Sequence, residues 1–429
     1  MCSSSHTLTP ARINSTLTIS GTVSVSTLRS LTLTSKYSPT VKGRGKLKIT
    51  TNTHDILEKL IGFDTTSCNP NQNLMAYVAT VLSEHGIEST LIPNANNSKA
   101  NLYATVGPQG KPGVMLSGHT DVVPIDGQKW TRPAFSLTYE NGRYYGRGTT
   151  DMKGFIACAL NAMISASERT LSTPLHLALS YDEEIGCVGV HSLLDMLAQS
   201  PVKPTMCIVG EPTSLGVATK HKGKTAIEAI CTGREGHSAL APHALNAIHL
   251  GCDLVSVLRE KQIELVNDYG PLEVDDVPYT TVHVGKFNAG YALNIVPNLC
   301  TVNFEIRNRA EDNPVDILSA LSLASDNIVA TTGAPEAAIT FSTTNTYPGL
   351  NTPNDAAVVD FVKSLTGAND TTHVAFGTEG GLFSQTLGIP TVVCGPGSMS
   401  QGHKPDEYVE EEQLYLCEQM MSRLLDRLV

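Results

Sequence analysis

Much of what this sequence lacks is informative. Its ten cysteines contain no CxxC pair and no dense framework, so a disulfide scaffold is not expected at this size and a reducing compartment fits better. No apolar run approaches the roughly 18–20 residues that span a bilayer. There is no GxxxxGK[ST] phosphate loop. The glycines at 146 and 148 lack the third glycine and the long preceding strand of a dinucleotide fingerprint, and Ser398 and Ser400 complete no GxSxG elbow. With a net charge of −11, neither nucleic acid nor an anionic membrane surface is expected as a partner.

The first 54 residues contain no Asp or Glu, but hold 22 Ser and Thr and seven bases, from Arg12 to Lys48. Residues 1–52 therefore read as a Ser/Thr-rich basic leader. Acid-free leaders resemble organellar transit peptides. Against that, no amphipathic helix is evident, and Leu17, Ile19, Val23 and Val25 alternate more like a weak strand. A disordered, dispensable tail on a cytoplasmic protein is the expectation, and an organellar location the alternative. Beyond residue 54 the chain carries 23 bases against 41 acids, a net of −18.

At 429 residues and 41% hydrophobic, the chain suits an enzyme of two globular domains. Thr53 is placed to cap a first helix, and a second should run from Gln72 to His85 and stop at Gly86. Strands are expected at 101–106, 114–117, 175–181 and 206–209, with a hairpin turn at Asn141-Gly142. Helices from Asp151 to Ser167 and over 188–198 complete a mixed α/β layer covered on both faces. After Glu211 the pattern changes. A strand-like stretch over 220–231 and one long helix over 242–265 open an α+β segment, whose later strands fall at 279–284, 299–306 and 338–343. The α/β pattern then resumes, so an inserted satellite domain is the economical reading.

Five buried strands run out into turns bearing chemistry. VMLSGHTDVVP carries His119 and Asp121, GRGTTDMKG carries Asp151, LSYDEEIG carries Glu183 and Glu184, IVGEPT carries Glu211, and GSMSQGHKPDEY carries His403. Singly each is ordinary: Asp151 reads as a helix N-cap, Glu183-Glu184 as a solvated helix start, His403 as a surface loop residue. Together they need one explanation, because buried carboxylates are costly unless paired or metal-bound. Two imidazoles and several carboxylates without cysteine suit Zn²⁺, Co²⁺ or Mn²⁺. The HxD spacing suits a metal-binding His119 whose other ring nitrogen is held by Asp121.

In this order HTDVVP, YGRGTTDMKG, DEE, GEPTS, GHSA and GHKPDEY resemble the co-catalytic zinc aminoacylase and deacylase family over roughly residues 52–429. The resemblance implies a metallopeptidase-like α/β catalytic domain, residues 53–215 and 346–429. An inserted α+β dimerisation domain, residues 216–345, would build a homodimer. It further implies two divalent metal ions per subunit, zinc with cobalt as the alternative. His119 and Glu211 would hold one ion, Glu184 and His403 the other, and Asp151 both. Glu183 would be the general base, Asp121 would orient His119, and His237 would reach the oxyanion from the other subunit. Arg307 is a candidate planar partner for a substrate carboxylate, and Asn294 and Thr378 resemble positions near substrate. Glu379, in FGTEGGLF where desuccinylases tend to carry a GTSDGRF-like stretch, is expected to meet a cationic side chain. The implied reaction is hydrolysis of the acetyl amide of N2-acetyl-L-ornithine in arginine biosynthesis. A sister N-acyl amino acid deacylase, a dipeptidase and a non-catalytic metal-binding dimer are the alternatives.

Overall fold

The computed structural model describes residues 50–269 and 277–429, so the reading of the leader over residues 1–49 lies outside the described residues. The first helix, Thr51–Ile61, begins earlier than expected. Thr50 rather than Thr53 is the cap: its hydroxyl accepts the Thr53 N–H, while its own N–H and hydroxyl donate to the Glu418 carboxylate. A contact 368 residues away thus sets the start of this helix.

The main sheet has nine strands. Its order is Ser89–Pro93, Ala100–Val106, Leu175–Ser180, Val114–His119, Met206–Pro212, Thr391–Gly395, Val217–His221 and Leu350–Asn351, with Thr371–His373 pairing alongside Val217–His221. The four central strands, from Leu175–Ser180 to Thr391–Gly395, are parallel and almost wholly buried. Their unbroken apolar runs are what a sheet covered on both faces demands. One face packs against helices Thr51–Ile61, Gln72–Glu84, Lys153–Ser167, Ala357–Thr366 and Glu411–Leu428. The other meets His191–Gln199 and Gly380–Leu387. Lys153–Ser167 is rich in Ala and lies close on the sheet. A Cβ on Gly210 would sit 2.1 Å from the Phe155 ring, so only glycine admits that ring, whose truncation to Ala costs about 3–5 kcal/mol in such cores.

A second, antiparallel sheet has the order Thr281–Ala289, Leu299–Arg307, Lys224–Thr232 and Ala338–Tyr347. Burial alternates strictly along Lys224–Thr232, the period of a sheet covered on one face. Helices Ala247–Tyr269 and Pro314–Thr332 provide that cover through Leu250, Leu254, Leu258 and Leu321. Pro314 at the first turn, the Asn313 cap and the left-handed Gly333 delimit the second of these helices. The whole is a mixed α/β fold with an inserted α+β segment.

Two expectations are corrected here. The stretch 220–231 is not one strand: Val217–His221 belongs to the main sheet and Lys224–Thr232 to the small one. The small sheet therefore runs from Lys224 to Tyr347, inside the expected border at 216 and just past that at 345. The long helix starts at Ala247, because Pro242 lies in a separate 3₁₀ turn, Ser238–His243. Among the described residues no helix is long and apolar enough to cross a membrane.

Candidate metal centre

The carboxyl ends of the parallel strands converge, as ligand-bearing ends do in open α/β sheets. His119 is the last residue of its strand and is sealed from solvent. Its Nε2 lies 3.1 Å from Asp151 Oδ1 and 3.5 Å from Glu211 Oε1. The other Asp151 oxygen, Oδ2, lies 3.1 Å from His403 Nε2, which is itself 3.0 Å from Glu184 Oε2. Two groups result, His119–Asp151–Glu211 and Asp151–Glu184–His403, each with ligand atoms within 4.8 Å of one another. Asp151 belongs to both, one oxygen to each. It is not the helix cap, since Met152 occupies that position before Lys153–Ser167.

Asp121 is used differently from the simplest reading of HxD. The Nδ1 of His119 is nearer the Asp121 backbone oxygen, at 3.0 Å, than its carboxylate, at 3.5 Å. That carboxylate accepts the Ser67 hydroxyl at 2.7 Å and the backbone N–H groups of Glu183 and Glu184 at 3.1 and 3.3 Å. It therefore shapes the acidic turn as well as facing the histidine. Around this turn Asp182, Cys187 and His403 all have positive φ, and Lys99 bonds both Asp182 and the Ser67 carbonyl. Strained backbone of this kind persists where surrounding contacts over-determine it.

The electrostatics fit cations. Burial, then the nearby Asp151, pushes Glu184 up to about 7. Glu183 and Glu211 are raised well above the ordinary value, first by burial and then by neighbouring carboxylates. Burial would raise Asp151 too, but hydrogen bonds with His119 and His403 hold it low. Those with Asp151 and Glu184 carry His403 to about 10. The carboxylates outnumber the two imidazoles, and Glu184 Oε1 is buried with no hydrogen-bond partner. Oxygen and imidazole donors, excess negative charge and an orphaned carboxylate oxygen are what divalent cations would satisfy. Glu183 stands beside both groups and in neither; its Oε1 accepts a weak Cys187 thiol contact at 3.5 Å.

The other site candidates divide. His237 and Asn294 lie side by side on an exposed tip, where Gly236–His237 pairs with Ile295–Val296 and the Ser238 N–H donates to the Asn294 carbonyl. Among the described residues no hydrogen bond or ion pair joins either to the metal-ligand cluster. Arg307 ends its strand 3.0 Å from Glu305 and 3.2 Å from the Tyr347 hydroxyl. Tyr347 in turn packs on Gly377, where a Cβ would come within 2.3 Å of its oxygen, and so links Arg307 to the segment bearing Thr378 and Glu379. Thr378 is sealed, its hydroxyl accepting the Gly380 N–H.

Glu379, read from the sequence as a contact for a cationic side chain, is 1% exposed, as buried as His119. It is the N-cap residue of helix Gly380–Leu387, and burial pushes its carboxyl up to about 7. Ser67, Cys187 and Tyr347 carry no motif that marks them in the sequence; only the fold brings them to this site.

With this geometry in place, comparison with known proteins identifies the class. A model of Peptidase family M20/M25/M40 matches residues 115–427, most of the chain, and the chain belongs to that family: it is a metal-dependent hydrolase. It is 34% identical to the acetylornithine deacetylase of Myxococcus xanthus over 375 residues, 86% of this chain and 95% of that protein. It is 32% identical to the acetylornithine deacetylase of Pasteurella multocida (strain Pm70) over 356 residues, 83% and 91% of the two. The fold is shared with the M20 family metallo-carboxypeptidase Sso-CP2 from Sulfolobus solfataricus, with a TM-score of 0.71 at 20% identity over 88% of this chain and 99% of that one.

Proposed function

We propose that this chain hydrolyses the acetyl amide of N2-acetyl-L-ornithine to L-ornithine and acetate, serving arginine biosynthesis in the cytoplasm. The similarity to two acetylornithine deacetylases supports the substrate. The chemistry rests on one observation, the Asp151 carboxylate divided between two ligand groups. In this reading His119 and Glu211 hold one divalent ion, Glu184 and His403 the other, and Asp151 both, with zinc the resident metal and cobalt its substitute. Two such ions supply Lewis-acid polarisation of the amide carbonyl and bring the pKa of water toward about 7.

The protein's own groups do the rest. Glu183, which is not a ligand, takes the water proton and passes it to the departing amine. Asp121 orients His119 and the acidic turn. Arg307, released from Glu305, pairs with the substrate's α-carboxylate, and Thr378 holds the loop behind it. His237 donates to the oxyanion and Asn294 to the substrate, both from a second subunit.

A homodimer through the inserted segment is part of the proposal. The tip bearing His237 and Asn294 exposes Tyr291 and Leu293 almost completely, with Leu240 and Ile295 about half exposed, an apolar collar that a second copy would cover. The test is hydrolysis by zinc- or cobalt-loaded protein of N-acetylornithine, N-succinyl-diaminopimelate, N-acetylmethionine and a dipeptide. Preference for N-acetylornithine, abolished by a chelator, is the expected result. Preference for another of the four removes the substrate and keeps the chemistry, whereas no hydrolysis by protein carrying two metals removes both.

A further inference from the structure

Outside the ligand groups, the strongest feature is a sealed ion pair. Arg147 and Glu407 are each 1% exposed and meet at 2.7 Å. Glu407 Oε1 accepts the backbone N–H groups of Gly148 at 3.1 Å, Thr150 at 2.9 Å and Asp151 at 3.2 Å. Arg147 donates through Nη2 to Gln128 Oε1 at 2.6 Å, and Gln128 Nε2 donates to the His403 carbonyl at 2.9 Å. Trp130 braces the middle of this chain, its Nε1 donating to Gln128 Oε1 at 3.0 Å and its ring 5.0 Å from the guanidinium.

The hydrogen bonds therefore run unbroken from the Asp151 N–H through Glu407, Arg147 and Gln128 to the His403 carbonyl. They join two residues 252 positions apart in sequence that belong to one ligand group. His403 is held at φ 60° and Asp406 at φ 54°, with Asp406 tied to the Thr131 N–H and hydroxyl.

We infer that Glu407, Arg147 and Gln128 form a positioning frame that sets Asp151 and His403 at the separation the second cation needs. The inference rests on the two-ion reading above. A buried ion pair adds little net stability over an apolar pair of the same size; what this one adds is direction. A single carboxylate oxygen gathers three N–H groups of the Asp151 turn, and no neutral side chain would do so as strongly. Gln128 then carries the register to the His403 turn, whose strained backbone needs outside support. None of the three touches substrate, and each acts through a ligand.

The experiment is a titration of metal-stripped protein with zinc in competition with a chromophoric chelator, repeated with cobalt to read the visible absorption of the filled site. Wild type should bind two ions. Gln128→Ala cuts the link from Arg147 to the His403 carbonyl but leaves the Glu407 bonds to the Asp151 turn in place. It should therefore weaken the second ion by about 10–100-fold, the usual effect of removing a group that holds a ligand, and leave the first unchanged. Glu407→Gln should weaken the second ion at least as much and alter its cobalt spectrum.

Melting of the metal-free and metal-loaded forms separates positioning from simple support. Positioning predicts a deficit that grows on loading, and support alone predicts an equal deficit in both forms. Unchanged two-ion binding in Gln128→Ala and in Glu407→Gln overturns the inference while leaving the two-ion reading intact. Should Glu407→Gln not fold, the more exposed Gln128→Ala decides alone. A wild type that takes up only one ion removes the reading and the inference together.

Discussion

His119 and His237 sit at opposite extremes of this molecule. The first ends an all-buried strand, with hydrogen-bonding partners at both ring nitrogens. The second lies exposed on a two-residue strand, its Nδ1 accepting only the nearby Ala239 N–H. Burial and cross-bracing fix the geometry of the cation cluster in advance, and such preorganisation is what electrostatic catalysis requires. The tip carries the right residue types without a site of its own. A group built in this way acts only after something brings it to its target, through a partner subunit or domain closure.

The comparison can be broken most severely at Glu183. Glu183→Gln should lower kcat by roughly 10²–10⁴-fold with metal content unchanged by elemental analysis, and near-normal turnover would end its role as base. His237→Ala should cost about 10²–10³-fold in kcat, again without loss of metal. Co-expression sharpens this point. In mixed dimers of Glu183→Ala and His237→Ala subunits, one site keeps both groups if His237 acts in trans, so activity should reappear. If neither parent nor mixture is active, His237 does not work across the interface.

Arg307→Met should raise KM by about 10–100-fold and leave kcat within a few-fold, the loss of one charge-assisted pair. A fall in kcat alone would assign Arg307 to the transition state rather than to binding.

A separate expected effect is on stability and leaves turnover aside. Burial lowers His176 and His221 to about 4, below the roughly 6.5 of an unfolded histidine. The unfolded chain then binds protons that the folded chain refuses. Stability should fall as pH drops from about 6.5 to 4 and level off below, by roughly 3 kcal/mol for each histidine. His176→Phe keeps a ring against Tyr103, which His176 stacks on at 5.6 Å, and should flatten its share of that slope in urea melts between pH 7.5 and 4.5. An unchanged slope would show that His176 titrates normally.

The five ligand candidates were legible because their signal is local. An apolar strand that ends in His or Glu declares a buried polar group, as at His119 and Glu211, whereas Asp151 follows the short strand Arg143–Tyr145 and His403 lies in an exposed loop. The second helix, Gln72–Glu84, and the apolar strands that became the centre of the main sheet were equally readable, since period and capping act over a few residues. What escaped depends on contacts distant in sequence. Glu418 moves the start of the first helix to Thr50, and pairing with Thr391–Gly395 assigns Val217–His221 to the main sheet. The fold seals Glu379, the N-cap residue of helix Gly380–Leu387, which composition alone would leave in solvent. By itself the sequence determined which side chains could bind metal. Only the tertiary structure decided which two share the Asp151 carboxylate and what holds them there, because buried hydrogen bonds reward a geometry that no local run of residues encodes.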